Sequence, residues 1–306
     1  MHVTLMHNPV AGDGRSGRSE IMDALRRAGY RVTYQSTKEA GFDAILEDPG
    51  DFVVAAGGDG TIEKIARRMV GRAIPLAVLP LGTANNVALS LHVGGALEDI
   101  IAGWDPPRTR SLDVGFIRTP WDEGHFVESA GLGLLAEVIV RADSVRHSVE
   151  TSDADEELVA NFRLIGRVVE ELPSRPFRIR TEDADLAGDY LLVEMANTPY
   201  VGPRLRLGSE IDPGDGLLDL VLAPTDRRAA LVQYFLEYDP QSDRMPPVDI
   251  LRGRRFEVRC EAARLHVDDE IWPEEDENPE KPASGGSGSA IEAFVEPGAL
   301  LIVASV

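Results

Sequence analysis

The chain has 306 residues, enough for about two domains at roughly 100–200 residues each. Hydrophobic residues make up 43% and charged residues 27%, a globular balance that excludes wholesale disorder. Acidic residues outnumber basic ones 52 to 31, for a formal net charge of −21, and a surface this negative repels phosphate backbones, which excludes nucleic acid as a partner. Only Lys38, Lys64 and Lys281 are lysines; the other basic residues are arginine. The single cysteine, Cys260, cannot form an internal disulfide, and its setting in FEVRCEA alternates like a strand, so a half-buried packing position is expected. No basic-then-apolar signal segment opens the chain, and no apolar run approaches the ~20 residues of a membrane span. A cytoplasmic protein is expected, with any bilayer contact peripheral.

In chain order, HVTLMHN (2–8) is a short apolar run ending at Asn8-Pro9, followed by a glycine-rich turn. A helix follows over SGRSEIMDALRRAGY, with Ile21, Leu25 and Ala28 on one face and Gly29 ending it. RVTYQST reads as a second strand. DFVVAAGG (51–58) is a continuous apolar run, and TIEKIARRMVG after it places Ile62, Ile65, Ala66 and Met69 on one helical face. IPLAVLPLG (74–82) repeats the strand-then-loop pattern, and ALEDIIAG supplies a further short helix. Alternating βα units with unbroken apolar strands predict a parallel sheet covered on both faces. Pro106-Pro107 reads as a hinge. Beyond it TRSLDVGFI and HFVESAGLG resemble a hairpin pair, then come two helical stretches, LLAEVIVRADSV and DEELVANFRLIGRVVEEL. The short alternating strands FRIRTE, YLLVEMAN, LLDLVLA, RFEVRCEA and ARLHVDD predict an antiparallel sandwich. Residues 273–289, dominated by acid, proline, glycine and serine, read as a disordered loop, because AFVEPGALLIVAS beyond them is strand-like again.

Two glycine loops compete for the chemistry. Gly12, Gly14 and Gly17 match G-x-G-x-x-G, a dinucleotide fingerprint, but four residues separate the strand from the first glycine, and the second strand ends Tyr34-Gln35-Ser36 with no carboxylate for a ribose hydroxyl. The loop Gly57-Gly58-Asp59-Gly60-Thr61 is more demanding. Its glycines let backbone N–H groups turn toward a phosphate that approaches closely, with Thr61 placed to cap the next helix. Asp59 suits such a loop when a divalent cation lies between it and the phosphate, which implies Mg2+. Pro80-Leu81-Gly82-Thr83-Ala84-Asn85-Asn86 repeats the device one strand later, and both loops belong at the carboxyl edge of the sheet.

GGDGT after VVAA, PLGTANN after LAV, and an early NPVAG resemble the diacylglycerol kinase catalytic domain, whose superfamily includes sphingosine kinases and bacterial lipid kinases. The resemblance extends through Ser111-Leu112-Asp113-Val114-Gly115, the DPGDGLLD segment at 212–219, Val267-Asp268-Asp269-Glu270 in the place of a late D-G-E, and the closing PGALLIVAS. It implies an ATP- and Mg2+-dependent kinase acting on the hydroxyl of a membrane-derived lipid such as diacylglycerol. The implied fold is a nucleotide-binding α/β domain over 1–108, to which the final strand, 299–306, returns, and a β-sandwich lipid-substrate domain over 109–298, with the active site in the cleft between them. By the same resemblance Gly58 to Thr61, with Gly57, Thr83 and Thr37, would hold the ATP phosphates and Asn8 would brace the first loop. Asp59 and Asp113 would organise the catalytic Mg2+. Asp215 would bind a second, structural Mg2+, helped by carbonyls of Asp212 and Leu217. Asp268 or Glu270 would accept the proton of the lipid hydroxyl.

The chain departs from the family pattern at five positions: Asn86 for an aspartate, Glu63-Lys64 for Asn-Glu, Asp269 for the central glycine of D-G-E, and Glu128 where asparagine is common. They motivate two alternatives, phosphorylation of a soluble acceptor in the manner of an NAD kinase, and a nucleotide-sensing protein with weakened turnover. A transient membrane contact and a homodimer complete the expected partners. The histidines (His2, His7, His92, His125, His147, His266) show no metal-ligand spacing, and Trp104, Trp121 and Trp272 are too scattered for a stacking platform. Arg204 and Arg206 read as a solvated basic edge.

Overall fold

The computed structural model describes residues 1–11, 17–105, 107–145, 154–240, 242–260, 263–273 and 290–304. Gly12 and Gly14 of the first glycine loop, and 274–289 of the acidic loop, lie outside the described residues. The chain divides into two compact units, Met1–Val114 with Pro297–Val306, and Gly115–Glu296. It crosses between them inside two long strands, β5 (Arg108–Arg118) and β17 (Ala290–Ala304), not at the proline pair.

The first unit is built on parallel strands in the order β2-β1-β3-β4-β17, where β1 is His2–His7, β2 Arg31–Ser36, β3 Phe52–Gly57 and β4 Leu76–Pro80. All six residues of β3 are buried, as a central parallel strand covered on both faces requires, while edge strand β2 alternates and stays half-exposed. Helix α1 (Arg18–Arg27) buries Ile21, Ala24 and Leu25; Ala28, expected on that face, is exposed because the helix ends there. Helix α2 (Asp59–Met69) buries Ile62, Ile65, Ala66 and Met69, the predicted stripe. Two short helices follow, α3 (Asn86–Ser90) and α4 (Leu97–Ala102). Tyr30, Phe52 and Trp104 stack edge to face along one flank, with Trp104 fully buried.

In the second unit the expected hairpin partner of β5 divides in two. Strand β6 (Glu123–Phe126) pairs antiparallel with β5, and β7 (Ser129–Gly133) leaves to pair with β9. Helices α5 (Leu134–Val145) and α6 (Ala154–Glu171) follow, then β8 (Arg175–Arg180), β9 (Asp185–Ala196), a small ribbon of β10 (Tyr200–Val201) and β11 (Leu205–Arg206), and β12 (Leu218–Pro224). Helix α7 (Arg228–Leu236), β13 (Asp249–Gly253), β14 (Arg255–Cys260), β15 (Leu265–Val267) and β16 (Glu270–Trp272) complete it. The order β16-β15-β7-β9-β8-β14-β17 is antiparallel, and β12 adds to the later half of β9.

Strict alternation gives this sheet two cores. Leu218, Leu220 and Leu222 of β12, with Val193 and Met195 of β9, pack into the sandwich interior around Phe256 and Phe126. Val221 and Ala223, with Leu192 and Ala196, face the helices, around Phe162 and Phe235. Cys260 is half-buried and packed beside the first core. Among the described residues no helix is long and apolar enough to cross a membrane.

Candidate active site

The parallel strands of the first unit end side by side, which sets Asn8, Thr37, Gly57 and Leu81 along one carboxyl edge. Backbone bonds tie these ends together: Thr37 N–H donates to His7 O (2.9 Å), Asn8 N–H to Ala56 O (2.9 Å) and Leu81 N–H to Gly57 O (2.8 Å). The Asn8 side chain donates to Thr61 Oγ1 at 3.0 Å. The expectation that Thr61 caps α2 is corrected: Gly58 is the N-cap, Thr61 is the third helical residue, and its hydroxyl serves as the anchor for Asn8.

The two glycine loops touch through their main chains. A Cβ on Gly82 would lie 2.6 Å from Gly58 Cα, a separation no side chain tolerates. Asn85, at φ 56°, shapes the second loop by accepting from Gly82 N–H (2.9 Å) and donating to Gly82 O (2.6 Å). Asp59 opens α2, and its Oδ1 accepts from Val87 N–H at 3.2 Å, so the carboxylate binds the amides that begin α3. Burial pushes the Asp59 carboxyl above its ordinary value, and the amides of Val87, Asn85 and Asn86 pull against that rise. Gly60 follows inside α2, and Thr83 is exposed at the rim. Asn86 is buried in α3, while Lys64 is exposed on α2 and lies over the Phe42 ring at 5.1 Å.

Asp113 is 3% exposed, and its Oδ1 accepts from Gly298 N–H at 2.7 Å, which joins β5 to the returning β17. The segment from Asp212 to Leu217 closes on itself: Asp212 Oδ1 accepts from Gly214 N–H (3.0 Å) and Asp215 Oδ1 from Leu217 N–H (2.9 Å). Arg252 reaches both carboxylates that flank this turn, Asp219 at 2.9 Å and Asp215 at 3.9 Å. Burial pushes the Asp219 carboxyl up, with Arg252 opposing.

Asp268 and Asp269 form the two-residue turn between β15 and β16, and Glu270 opens β16 opposite Val267. The environments of Asp268 and Glu270 differ. Asp268 is 6% exposed, and its Oδ1 accepts from Val127 N–H and Glu128 N–H, both at 2.9 Å, while Glu270 is exposed at the start of β16. The Asp268 carboxylate is thus engaged by two main-chain amides. The turn's left-handed residue is Asp268 (φ 52°), not Asp269, so a side chain at 269 is compatible with this backbone.

Beside this turn lies a buried pair that no sequence motif marks. His266 Nε2 lies 3.0 and 3.1 Å from the two Glu194 oxygens, and Nδ1 lies 2.8 Å from Asp268 O. Glu194 is 0% and His266 2% exposed. The available signal was a charged residue inside the apolar run LLVEMA and a histidine between two core residues of LHV. Burial alone would depress the His266 imidazolium, but the Glu194 charge, the Glu194 hydrogen bond and the Asp268 carbonyl and charge outweigh it, and the net direction is upward from 6.5.

Because the folded value is the higher one, the stability this pair contributes is fully present below 6.5 and is lost as pH rises through the folded value. The melting temperature of the wild type will therefore fall more steeply above pH 6.5 than that of His266→Gln. Equal slopes would remove the charged state of His266. Gly82→Ala, which must force the two loops apart, will cost about 1–3 kcal/mol in chemical denaturation.

Comparison with known proteins agrees with this architecture. Residues 2–117 match the model of the diacylglycerol kinase catalytic domain, and residues 139–303 match the YegS C-terminal NAD kinase beta sandwich-like domain. The chain is 25% identical over 283 residues to a diacylglycerol kinase of Mycobacterium tuberculosis, covering 87% of each. It is 27% identical over 245 residues to a diacylglycerol kinase of Staphylococcus aureus, covering 74% of this chain and 72% of that one. A solved structure of a diacylglycerol kinase from Bacillus anthracis shares the fold, with a TM-score of 0.67 at 15% identity over 99% of this chain and 97% of the other. A catalytic-domain match followed by a sandwich-domain match, in that order along one chain with this fold, places the protein in the diacylglycerol kinase family, the YegS-like lipid kinases.

Proposed function

We propose that the chain transfers the γ-phosphoryl group of ATP, with Mg2+, to the hydroxyl of a membrane-derived lipid such as diacylglycerol. The observation that carries this reading is the main-chain contact of the loops at Gly58 and Gly82, at the carboxyl edge of a parallel sheet and the start of α2. Such an edge presents backbone N–H groups and the positive end of a helix, which is what a chain of phosphates needs. Family membership and relatives named diacylglycerol kinase favour a lipid acceptor over a soluble one.

Among the described residues no group of three or more His, Cys, Asp or Glu side chains is placed to hold a metal, so Mg2+ has no all-protein cage. That suits an ion that binds through one or two carboxylates and completes its shell with waters and substrate phosphates. Asp59 and Asp113 are the carboxylates that would hold it, and once bound it neutralises phosphate charge. A structural Mg2+ at Asp212, Asp215 and Leu217 fits less well, because Arg252 already brings positive charge to Asp215 and Asp219. It has no part in the reaction.

Phosphoryl transfer depends mainly on alignment and charge neutralisation, with a carboxylate to receive the alcohol proton. The lipid oxygen bonds to the γ-phosphorus, the bond to the bridging oxygen breaks, and ADP leaves. Glu270 takes the hydroxyl proton; Asp268, bound to the Val127 and Glu128 amides, fixes the turn that carries it. An uncharged lipid acceptor reconciles a net charge of −21 with a brief peripheral membrane contact.

Mixed micelles of diacylglycerol with radiolabelled ATP and Mg2+ will yield labelled lipid, and label appearing only in a soluble acceptor would overturn the assignment. Glu270→Gln will lower kcat by about 10²–10⁴-fold with ATP affinity unchanged. Asp59→Asn retains an oxygen for Val87 N–H, so it will keep the wild-type melting temperature while losing transfer. A fully active Asp59→Asn would leave Asp59 as a cap for α3 and nothing more.

A further inference from the structure

We infer that Glu194 and His266 are positioning residues for the transfer reaction, a buried pair that locks the Asp268 turn and thereby the placement of Glu270. The inference rests on the kinase reading above and extends it to residues that touch neither nucleotide nor lipid.

The pair is made by strand register. Gly131 of β7 stands opposite Glu194 of β9 on one side and opposite His266 of β15 on the other, so the three residues form one row across adjacent strands. The middle position has no side chain. A Cβ on Gly131 would lie 1.8 Å from Glu194 Oε2, so glycine opens the gap through which carboxylate and imidazole meet. Neighbours along these strands, Ala130, Leu132, Val193, Met195, Leu265 and Val267, point the other way into the sandwich core.

The imidazole then faces two acceptors. A carbonyl oxygen only accepts, so Nδ1, 2.8 Å from Asp268 O, carries a proton. Nε2, against the Glu194 carboxylate, shares the pair's other proton. His266 thus spans from a buried charge to the main chain of the turn. The same residue is held at its N–H as well, which donates to Ser129 O at 2.8 Å, and by its side chain on the Val127 and Glu128 amides. Asp268 needs this grip because its φ of 52° is a conformation L-residues rarely adopt.

A pair wanted for stability alone has a simpler solution. Taking two charges out of water costs several kcal/mol per ion, and well-packed apolar residues often do as well or better. What an apolar pair cannot do is direct a hydrogen bond at one carbonyl. Glu270 begins two residues beyond that carbonyl, and proton transfer is sensitive to displacements of about 1 Å, at up to about 100-fold in rate.

Two substitutions separate the halves of the bridge. His266→Asn keeps a donor where Nδ1 stood and drops the contact to Glu194. His266→Gln keeps a donor near Nε2 and drops the contact to Asp268. Each is made alone and with Glu194→Gln, so that no lone carboxylate is left buried if a single variant fails to fold. The expected result is a kcat about 100-fold lower in His266→Gln with the KM for ATP unchanged, and a smaller loss of about 10-fold in His266→Asn, which keeps the bond to the turn without Glu194 behind it. Equal kcat in the two variants, high or low, would overturn the inference. Amide hydrogen exchange at Val127 and Glu128 gives a readout independent of turnover: it will quicken in His266→Gln and not in His266→Asn. If the wild type transfers phosphate to no lipid, the kinase reading fails by itself, and exchange alone decides the pair; equal exchange in both variants would then sink it.

Discussion

The nucleotide side of this protein depends on one contact, the approach of two main chains at Gly58 and Gly82. Parallel strands place successive loops next to each other, but only residues without Cβ atoms let those loops touch. Once they do, Asp59 has the amides of the neighbouring loop within reach, Asn85 folds back on Gly82, and Asn8 closes on Thr61. Asp59, Asn85 and Asn8 are thereby each given a backbone or hydroxyl partner. The edge is held in place by its own hydrogen bonds, the preorganisation by which the proposed phosphoryl transfer would avoid a reorganisation cost.

The sandwich solves a different problem with the same economy. Two acids at one turn, Asp268 and Glu270, are separated in function by environment. The buried one is bound by amides and serves as an anchor; the exposed one is the proton acceptor in the function proposed above. Behind the anchor stands a buried carboxylate–imidazole pair, admitted by a glycine. Arg252 does comparable work at the other aspartate-rich turn, where it offsets Asp215 and Asp219.

Two of the departures from the family pattern have local explanations. Asp269 occupies a backbone conformation open to any L-residue, since the left-handed position has passed to Asp268. Lys64 spreads over an aromatic ring on the outer side of α2, away from the amides that Asp59 engages. A sequence pattern records residue types; the turn and the helix face decide whether a change alters the site.

Local periodicity determined much of this protein. The alternation of apolar strands and striped helices, the α2 face of Ile62, Ile65, Ala66 and Met69, and the alternating strands of the sandwich could be read without coordinates, because each depends on residues a few positions apart. The glycine loops were legible for the same reason, as a strand followed at once by the residues a tight turn needs. What could not be read was which atom each acid faces. That Thr61 takes the Asn8 amide instead of capping, that Asp113 holds Gly298, and that HFVESAGLG divides between two partners all follow from strands that meet only after folding. Glu194 and His266 lie 72 positions apart, and nothing local marks them as partners. Their meeting across Gly131 is a matter of register, which only the assembled sheet decides, because a slip of one residue would turn each side chain to the opposite face.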